Sequence, residues 1–542
     1  MRGGLVSVPR GSVPQGRGAR GAVPKVAVIG AGVGGLAAAI DLAARGLEVT
    51  VLERAAAPGG KMRQVSVDGA QIDAGPTVFT MRWVFEQLFA DAGAVLGTAV
   101  TLHPAEVLAR HAWCDGGRLD LFADAARSCA AIGAFAGASA ARGYADFCTR
   151  AGRAFDVLDA GFMRDANPSI ARLLRTAGPR GIATLVGLAP WTSLWRALGR
   201  DFRDPRLRQL FARYATYCGA SPFAAPATLM LIAHVEREGV WLVEGGMHRL
   251  ALALADLART LGVSFRYVTE VRQILIANSR AAGVRLATGE RLGADAVVLN
   301  ADVAALAGGL FGAGAADAAP RADVARRSLS AVTWALHAET AGFPLLRHNV
   351  FFSRDYAAEF ADIFGAARLP AEPTVYVCAQ DRDDDDGPID KPERLLCLVN
   401  APARGDSHNL TPAEIAQCEA RTFALMEHCG LRIHRRTEAS MVTTPNDFAA
   451  LYPATGGALY GAAMHGTMAA FRRPTARTGM PGLYMAGGSV HPGAGIPMAA
   501  LSGRMAAARL LADFASTRRS YQVATPGGMS MPSAMTAPMD SR

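Results

Sequence analysis

Lysine is almost absent from this chain. Lys25, Lys61 and Lys391 are the only three in 542 residues, and arginine carries the remaining basic charge. That bias fits a GC-rich genome and says little about function. Paired cysteines are absent too: eight lie scattered from Cys114 to Cys429 with no C-x-x-C spacing. The pattern argues against structural zinc and dithiol chemistry and fits a reducing cytoplasm. The eleven histidines make no H-x-x-x-H or H-E-x-x-H pair, so no metal is expected. No apolar run reaches the ~20 residues of a membrane-spanning helix. The longest candidates, Gly181–Trp195 and Val303–Ala316, are too short, so no span is expected. Acids are missing from the first 25 residues, where Arg2, Arg10, Arg17, Arg20 and Lys25 supply five of the nine net positive charges. The rest of the chain is only mildly basic, which gives no support to a nucleic-acid partner.

What is present reads as a large folded α/β protein, since 51% of its residues are hydrophobic. Lys25–Ile29 is a β-rich run, followed by a glycine turn, an alanine-rich helix from about Leu36 to Arg45, and a strand at Leu47–Leu52. That is the βαβ opening of a doubly wound sheet. Strand-like segments recur at Val263–Val268, Val271–Ile276, Gly283–Leu286 and Ala296–Leu299, and a glycine-rich strand and helix fill Gly482 to about Asp513. The expected organisation is one discontinuous Rossmann-type domain from 25–105, 241–305 and 475–515. A helical substrate and membrane-contacting subdomain follows at 106–240, with a mixed α+β substrate domain at 306–474. Residues 1–24 and 516–542, rich in glycine, proline, serine and arginine or methionine, are expected to be disordered.

Three motifs carry chemistry. Gly30-Ala-Gly32-Val-Gly-Gly35 sits directly between strand and helix. Gly30 permits the tight turn, Gly32 lets backbone approach a pyrophosphate, and Gly35 lets helix pack on strand, with the helix N-terminus supplying positive dipole. Glu53 follows 23 residues after Gly30, at the end of the next strand, placed to accept ribose hydroxyls and to disfavour a 2′-phosphate. Pro58-Gly-Gly60-Lys61 and Asp73-Ala-Gly-Pro-Thr77 come next. A nicotinamide dinucleotide needs no second glycine loop here, whereas FAD, with its ribityl chain and ring system, does. Lys61 could neutralise phosphate or stand near the flavin. The third motif, Gly482 to Met498, runs strand, glycine turn, helix start, and puts a helix N-terminus where it would favour a reduced, anionic flavin.

In this order the motifs resemble the carotenoid desaturase branch of the flavin amine oxidase superfamily. Arg213–Thr228 and Glu236–Met247 are similar to that branch's middle signature, and His348–Ser353 and Pro373–Cys378 also match. Gly75–Thr80 and Arg110–Leu121 look most like the 1-hydroxycarotenoid 3,4-desaturases. The resemblance covers about residues 25–512. It implies FAD as the sole tightly bound cofactor, a membrane-dissolved C40 substrate, a quinone or oxygen-linked electron acceptor, and a cytoplasmic protein held peripherally on the inner membrane. Carried over residue by residue, the flavin contacts are Gly30, Gly32, Gly35, Glu53, Gly60, Lys61, Val271, Gly487 and Ile496. Gly488 departs from the pattern, since the wider superfamily often has an acid there, which leaves one flavin contact open.

Such an enzyme takes its substrate from lipid. Arg172–Arg208 holds eight arginines against Asp201 and Asp204, around an apolar stretch with Trp191 and Trp195, and is expected to lie in the headgroup region. Asp383–Asp386 lacks calcium-loop spacing and is expected to be a solvated loop. Desaturation at C3–C4 would remove a hydride from allylic C4 and a proton from C3. The proton acceptor stays open among Glu236, His234 and Asp115. Phytoene desaturation and redox-neutral carotenoid isomerisation remain the alternatives.

Overall fold

The computed structural model of the protein describes residues 23–321 and 323–523. Almost all of the leader expected at 1–24, and the tail beyond 523, lie outside them.

A five-stranded parallel sheet forms the first layer. Its order is Ser264–Arg266, Glu48–Leu52, Lys25–Ile29, Ala296–Leu299, Leu483–Met485, so it draws strands from three separated stretches of chain. Ala296–Leu299 is buried at every position, and Lys25–Ile29 at every position after Lys25, as expected for parallel strands covered on both faces. The first helix, Val33–Ala43, packs on this sheet and against the long helix Ile496–Val523. Those two helices meet through glycine: a Cβ on Gly503 would lie 2.0 Å from the Gly34 carbonyl oxygen. The long helix continues past Ser516, where the tail was expected to begin, to Val523. Val271–Ala277, Arg280–Leu286 and Arg291–Gly293 do not join the parallel sheet and form an antiparallel sheet of their own.

The second layer is an eight-stranded mixed sheet. Along its main path the order is Arg432–His434, Ser330–Ala341, Glu393–Ala401, Val375–Ala379, His348–Phe352, Val107–Trp113, Arg118–Phe122, and Ser440–Thr443 pairs with Ser330–Ala341. Residues 106–240 therefore begin with two strands before turning helical. The helical layer that follows includes Ala138–Leu158, Ile170–Gly187, Pro205–Ala212 and Leu231–Arg237. Phe147, Phe202 and Phe211 interlock at its centre, with ring centroids 4.7 to 5.7 Å apart. Asp383–Asp386 is not simply solvated. Asp384 accepts the backbone N–H groups of Glu106 and Val107 at 2.8 Å, and Asp386 pairs with Arg110 at 2.8 Å, so the run fastens a loop to the first half of the strand Val107–Trp113.

Candidate active site

Gly30, Gly32, Glu53, Gly60, Lys61, Val271, Gly487 and Ile496 line one continuous cavity of about 920 Å³. Gly35 does not line it. A Cβ there would stand 2.1 Å from the Gly30 carbonyl oxygen, so its role is to let the helix seat on the turn. Glu53 is fixed by two backbone donors, Ala31 N–H at 2.6 Å on one carboxylate oxygen and Ala55 N–H at 2.7 Å on the other. Each oxygen keeps a lone pair for a further donor.

A residue the sequence motifs did not flag sits beneath the glycine turn. Asn300 follows the strand Ala296–Leu299, at the carboxyl end of a parallel strand where ligands of such sheets bind. With its amide turned, its oxygen accepts from Gly32 N–H at 3.2 Å and Gly35 N–H at 3.3 Å. A Cβ on Gly32 would meet that end of the amide at 2.7 Å, and one on Gly34 or on Gly487 its other end at 2.8 Å. One short amide thus sets how closely the first and third motifs approach. The strand end itself was the available signal.

The second motif divides its labour. Gly59 and Gly60 have positive φ (+120° and +59°), and a Cβ on Gly75 would lie 1.9 Å from the Lys61 carbonyl oxygen, so the two glycine loops are packed backbone on backbone. Asp73 turns inward and accepts Met247 N–H at 2.5 Å, holding the start of the helix His248–Thr260. Lys61 points inward and donates to Leu459 O. Burial pulls its ammonium below the usual lysine range, with Asp302 opposing. Arg473 donates to the carbonyls of Gly488, Tyr460 and Ala462 at 2.9 to 3.0 Å, and its Nε has no partner among the described residues. At the third motif, Gly495 (φ +114°) leads into the helix at Ile496, and both residues line the cavity.

The rest of the cavity has two characters. One wall is apolar and includes Leu158, Phe162, Met163, Leu173 and Leu185, reaching Ile170 and Leu174 on an exposed helix. The other is polar and lies where the helical layer meets the mixed sheet: Arg213, Tyr217, Glu236, Tyr356 and Tyr376. Of the three groups left open as proton acceptors, Glu236 alone lines the cavity. His234 packs on Phe155, with ring centroids 4.8 Å apart, and Asp115 pairs with Arg206. Burial raises the Glu236 carboxyl, while Tyr217, Tyr214 and Arg213 hold it down.

The cradle, the packed glycine loops and the helix start at Ile496 fit a dinucleotide with a bulky ring system beyond its pyrophosphate. Residues 28–91 match the NAD(P)-binding Rossmann-like domain, and residues 195–511 match the flavin-containing amine oxidoreductases. The chain belongs to the flavin-containing amine oxidoreductase family. Within that family it is 55% identical over 516 residues to the hydroxyneurosporene desaturase of Rubrivivax gelatinosus, covering 95% of this chain and 98% of that protein. It is 47% identical to the hydroxyneurosporene desaturase of Cereibacter sphaeroides, covering 92% and 99%. Its fold is that of a solved putrescine oxidase, with TM-score 0.55 at 15% identity over 91% of this chain and 99% of the other. The cofactor of this flavin-containing family member is FAD, and the chain is an oxidoreductase.

Proposed function

We propose that the protein is an FAD-dependent carotenoid desaturase that introduces the C3–C4 double bond into an acyclic, 1-hydroxylated C40 carotenoid. The observation that carries this reading is one cavity that runs from a dinucleotide cradle to an exposed apolar helix, in a chain 55% identical to a hydroxyneurosporene desaturase. Gly30, Gly32, Glu53, Gly60, Lys61, Val271, Gly487 and Ile496 would hold the cofactor, with Gly35 and Asn300 setting the turn's shape. Bound FAD supplies the two-electron acceptor. Loss of a hydride from C4 would leave a cation spread over the polyene, and loss of a proton from C3 would then complete the neutral double bond. The protein excludes water with Leu158, Phe162, Met163 and Leu173 and holds C4 in register. Reoxidation by a quinone or an oxygen-linked acceptor completes the cycle.

The mouth supports peripheral attachment to a membrane. No helix among the described residues is long and apolar enough to cross one. The helix Ile170–Gly187 is broken at Gly178–Pro179, and both halves expose apolar side chains: Ile170 46%, Val186 56%, followed by Trp191 67%. Exposed arginines 172, 175 and 180 flank them. Apolar residues ringed by arginine match a surface that lies among lipid headgroups, with cavity-lining Ile170 and Leu174 at the membrane side. On this reading the protein works in a cell from the cytoplasmic face of the inner membrane. Trp195 plays a different part. Its ring packs on Phe223 at 4.8 Å under the Arg208 guanidinium at 4.1 Å, so it belongs to the fold and not to the lipid face.

Holoprotein in liposomes, supplied anaerobically with a quinone, should shift the absorption of an acyclic 1-hydroxycarotenoid to longer wavelength and leave phytoene nearly untouched. Efficient multi-step desaturation of phytoene without preference for the hydroxylated substrate would overturn the assignment.

A further inference from the structure

A cationic side chain lines the interior cavity with no carboxylate at ion-pair distance among the described residues. Arg213 opens the short 3₁₀ turn Arg213–Cys218. Its guanidinium donates to Tyr217 Oη at 3.1 Å, its one side-chain hydrogen bond among the described residues. It also lies over the rings of Tyr217 (5.2 Å) and Tyr376 (5.6 Å). Tyr217 Oη in turn donates to Glu236 Oε1 at 2.7 Å, and Tyr214 Oη donates to Glu236 Oε2 at 2.8 Å. The charge is thus anchored through a tyrosine relay to a buried carboxylate, not neutralised by direct contact.

An arginine has five N–H donors in a fixed fork. One is spent on Tyr217, and the partly accessible side chain lines the cavity. The two histidines that its charge reaches are not cations themselves. Burial, with Arg213 contributing at His111 and Arg347 and then Arg213 at His348, holds both imidazoles at about 3, so they are neutral. His348 Nδ1 shares Tyr376 Oη with Thr77 Oγ1 (2.7 and 2.6 Å), which occupies that hydroxyl. The turn bearing Arg213 is also linked, through Tyr460 and Arg473, to Gly488 of the third motif. A Cβ on Gly219 would stand 2.6 Å from the Tyr460 ring, and the Tyr460 carbonyl is held by Arg473. A buried donor fork facing a cavity and lacking an anion is suited to a neutral oxygen acceptor, and it penalises a hydrocarbon in that place.

We propose that Arg213, positioned by Tyr217 and Glu236, is the receptor for the oxygen at the end of the substrate's chain, and so selects which carbon–carbon bond meets the flavin. This rests on the hydroxycarotenoid reading above. In such a substrate the oxygen sits on C1 and is three bonds from C3 and four from C4, so capturing it fixes C3–C4 within a few ångströms. Because arginine only donates, a methoxy oxygen would be accepted as readily as a hydroxyl.

The test compares two acyclic carotenoids of equal polyene length, with and without the 1-hydroxyl, presented in liposomes to holoprotein. The readout is the ratio of their kcat/KM values. Wild type should favour the hydroxylated substrate, and Arg213→Met should reduce that ratio by about 10- to 100-fold, the range for a hydrogen bond to a charged group. Arg213→Lys should restore part of it. If Arg213→Met fails to retain flavin, Tyr217→Phe, which keeps the ring but frees the guanidinium, should lower the ratio in the same direction. A wild-type ratio near one, or variants in which both substrates fall together at constant ratio, would overturn the role of Arg213 and leave the desaturase reading standing. A wild type inactive on both substrates would overturn that reading and this one together.

Discussion

Gly35→Ala tests the architecture of the cradle more sharply than any change to a cavity-lining residue. The added Cβ would stand 2.1 Å from the carbonyl oxygen of Gly30. That oxygen belongs to backbone at the end of a central strand, so the obstacle cannot swing away. Ordinary contact begins at 3.4 Å, so the backbone must shift by more than 1 Å in a helix whose interior is close-packed and can absorb little. The helix Val33–Ala43 has ten buried residues, from Val33 to Leu42, and its first turn is the dinucleotide cradle. Overpacking of this kind costs about 1–3 kcal/mol. Felt at the cradle, that becomes about a 5- to 150-fold loss of FAD affinity. Gly32→Ala should be milder, because its Cβ meets the far end of the Asn300 side chain at 2.7 Å and that amide can turn. Gly46→Ala is the control: it lies at φ +82° with open space around it, so it should lower stability without weakening flavin binding. The assay is flavin absorbance per protein on purification, followed by titration of apoprotein with FAD. Wild-type affinity in Gly35→Ala, or an order in which Gly32→Ala is the worse of the two, would refute this account.

Two further outcomes are expected. Trp191→Ser should lower the fraction of protein that floats with liposomes while leaving flavin spectra unchanged; Trp195→Ser should lower thermal stability, with flotation of the folded fraction unaffected, and the reverse pattern would exchange their roles. His111 and His348, buried neutral with values of about 3, bind protons in the unfolded chain near pH 6.5 but not in the folded one. Their folded values are depressed, so stability present above pH 6.5 is lost as pH falls toward 3, by about 1.4 kcal/mol per pH unit for each imidazole. Urea unfolding of His348→Gln across pH 6.5 to 4 should show this slope reduced by one proton's worth, and an unchanged slope would remove His348 from the acid response.

The flavin lobe was legible because its signals are local. The glycine turn, the helix behind it and Glu53 lie within one βαβ unit, and continuous apolar strands and alanine-rich helices announce themselves by period alone. The third motif was legible for the same reason, and the structure brings it to the first through Asn300 and the contact of Gly34 with Gly503. What sequence could not decide was orientation and distant company. Trp191 and Trp195 are four residues apart and chemically identical, yet one is two-thirds exposed and the other is clamped between Phe223 and Arg208. Their difference follows from the turn between helices that Ser193 caps, a matter of packing and not of composition. Asp383–Asp386 reads as a solvated run until Arg110 and the backbone at 106–107 come within reach, across more than 270 residues of chain. The polar chamber is the extreme case. Arg213, Tyr217 and Glu236 come from the helical layer and Tyr376 from the mixed sheet, and although all four lie in segments that resemble the family's signatures, nothing in those segments says that they meet. Sequence set the cofactor and the class of chemistry, because those depend on backbone turns and short spacings. Only the tertiary fold placed against the cavity an arginine with no ion-pair partner among the described residues, because burial and ion pairing are properties of everything that surrounds it.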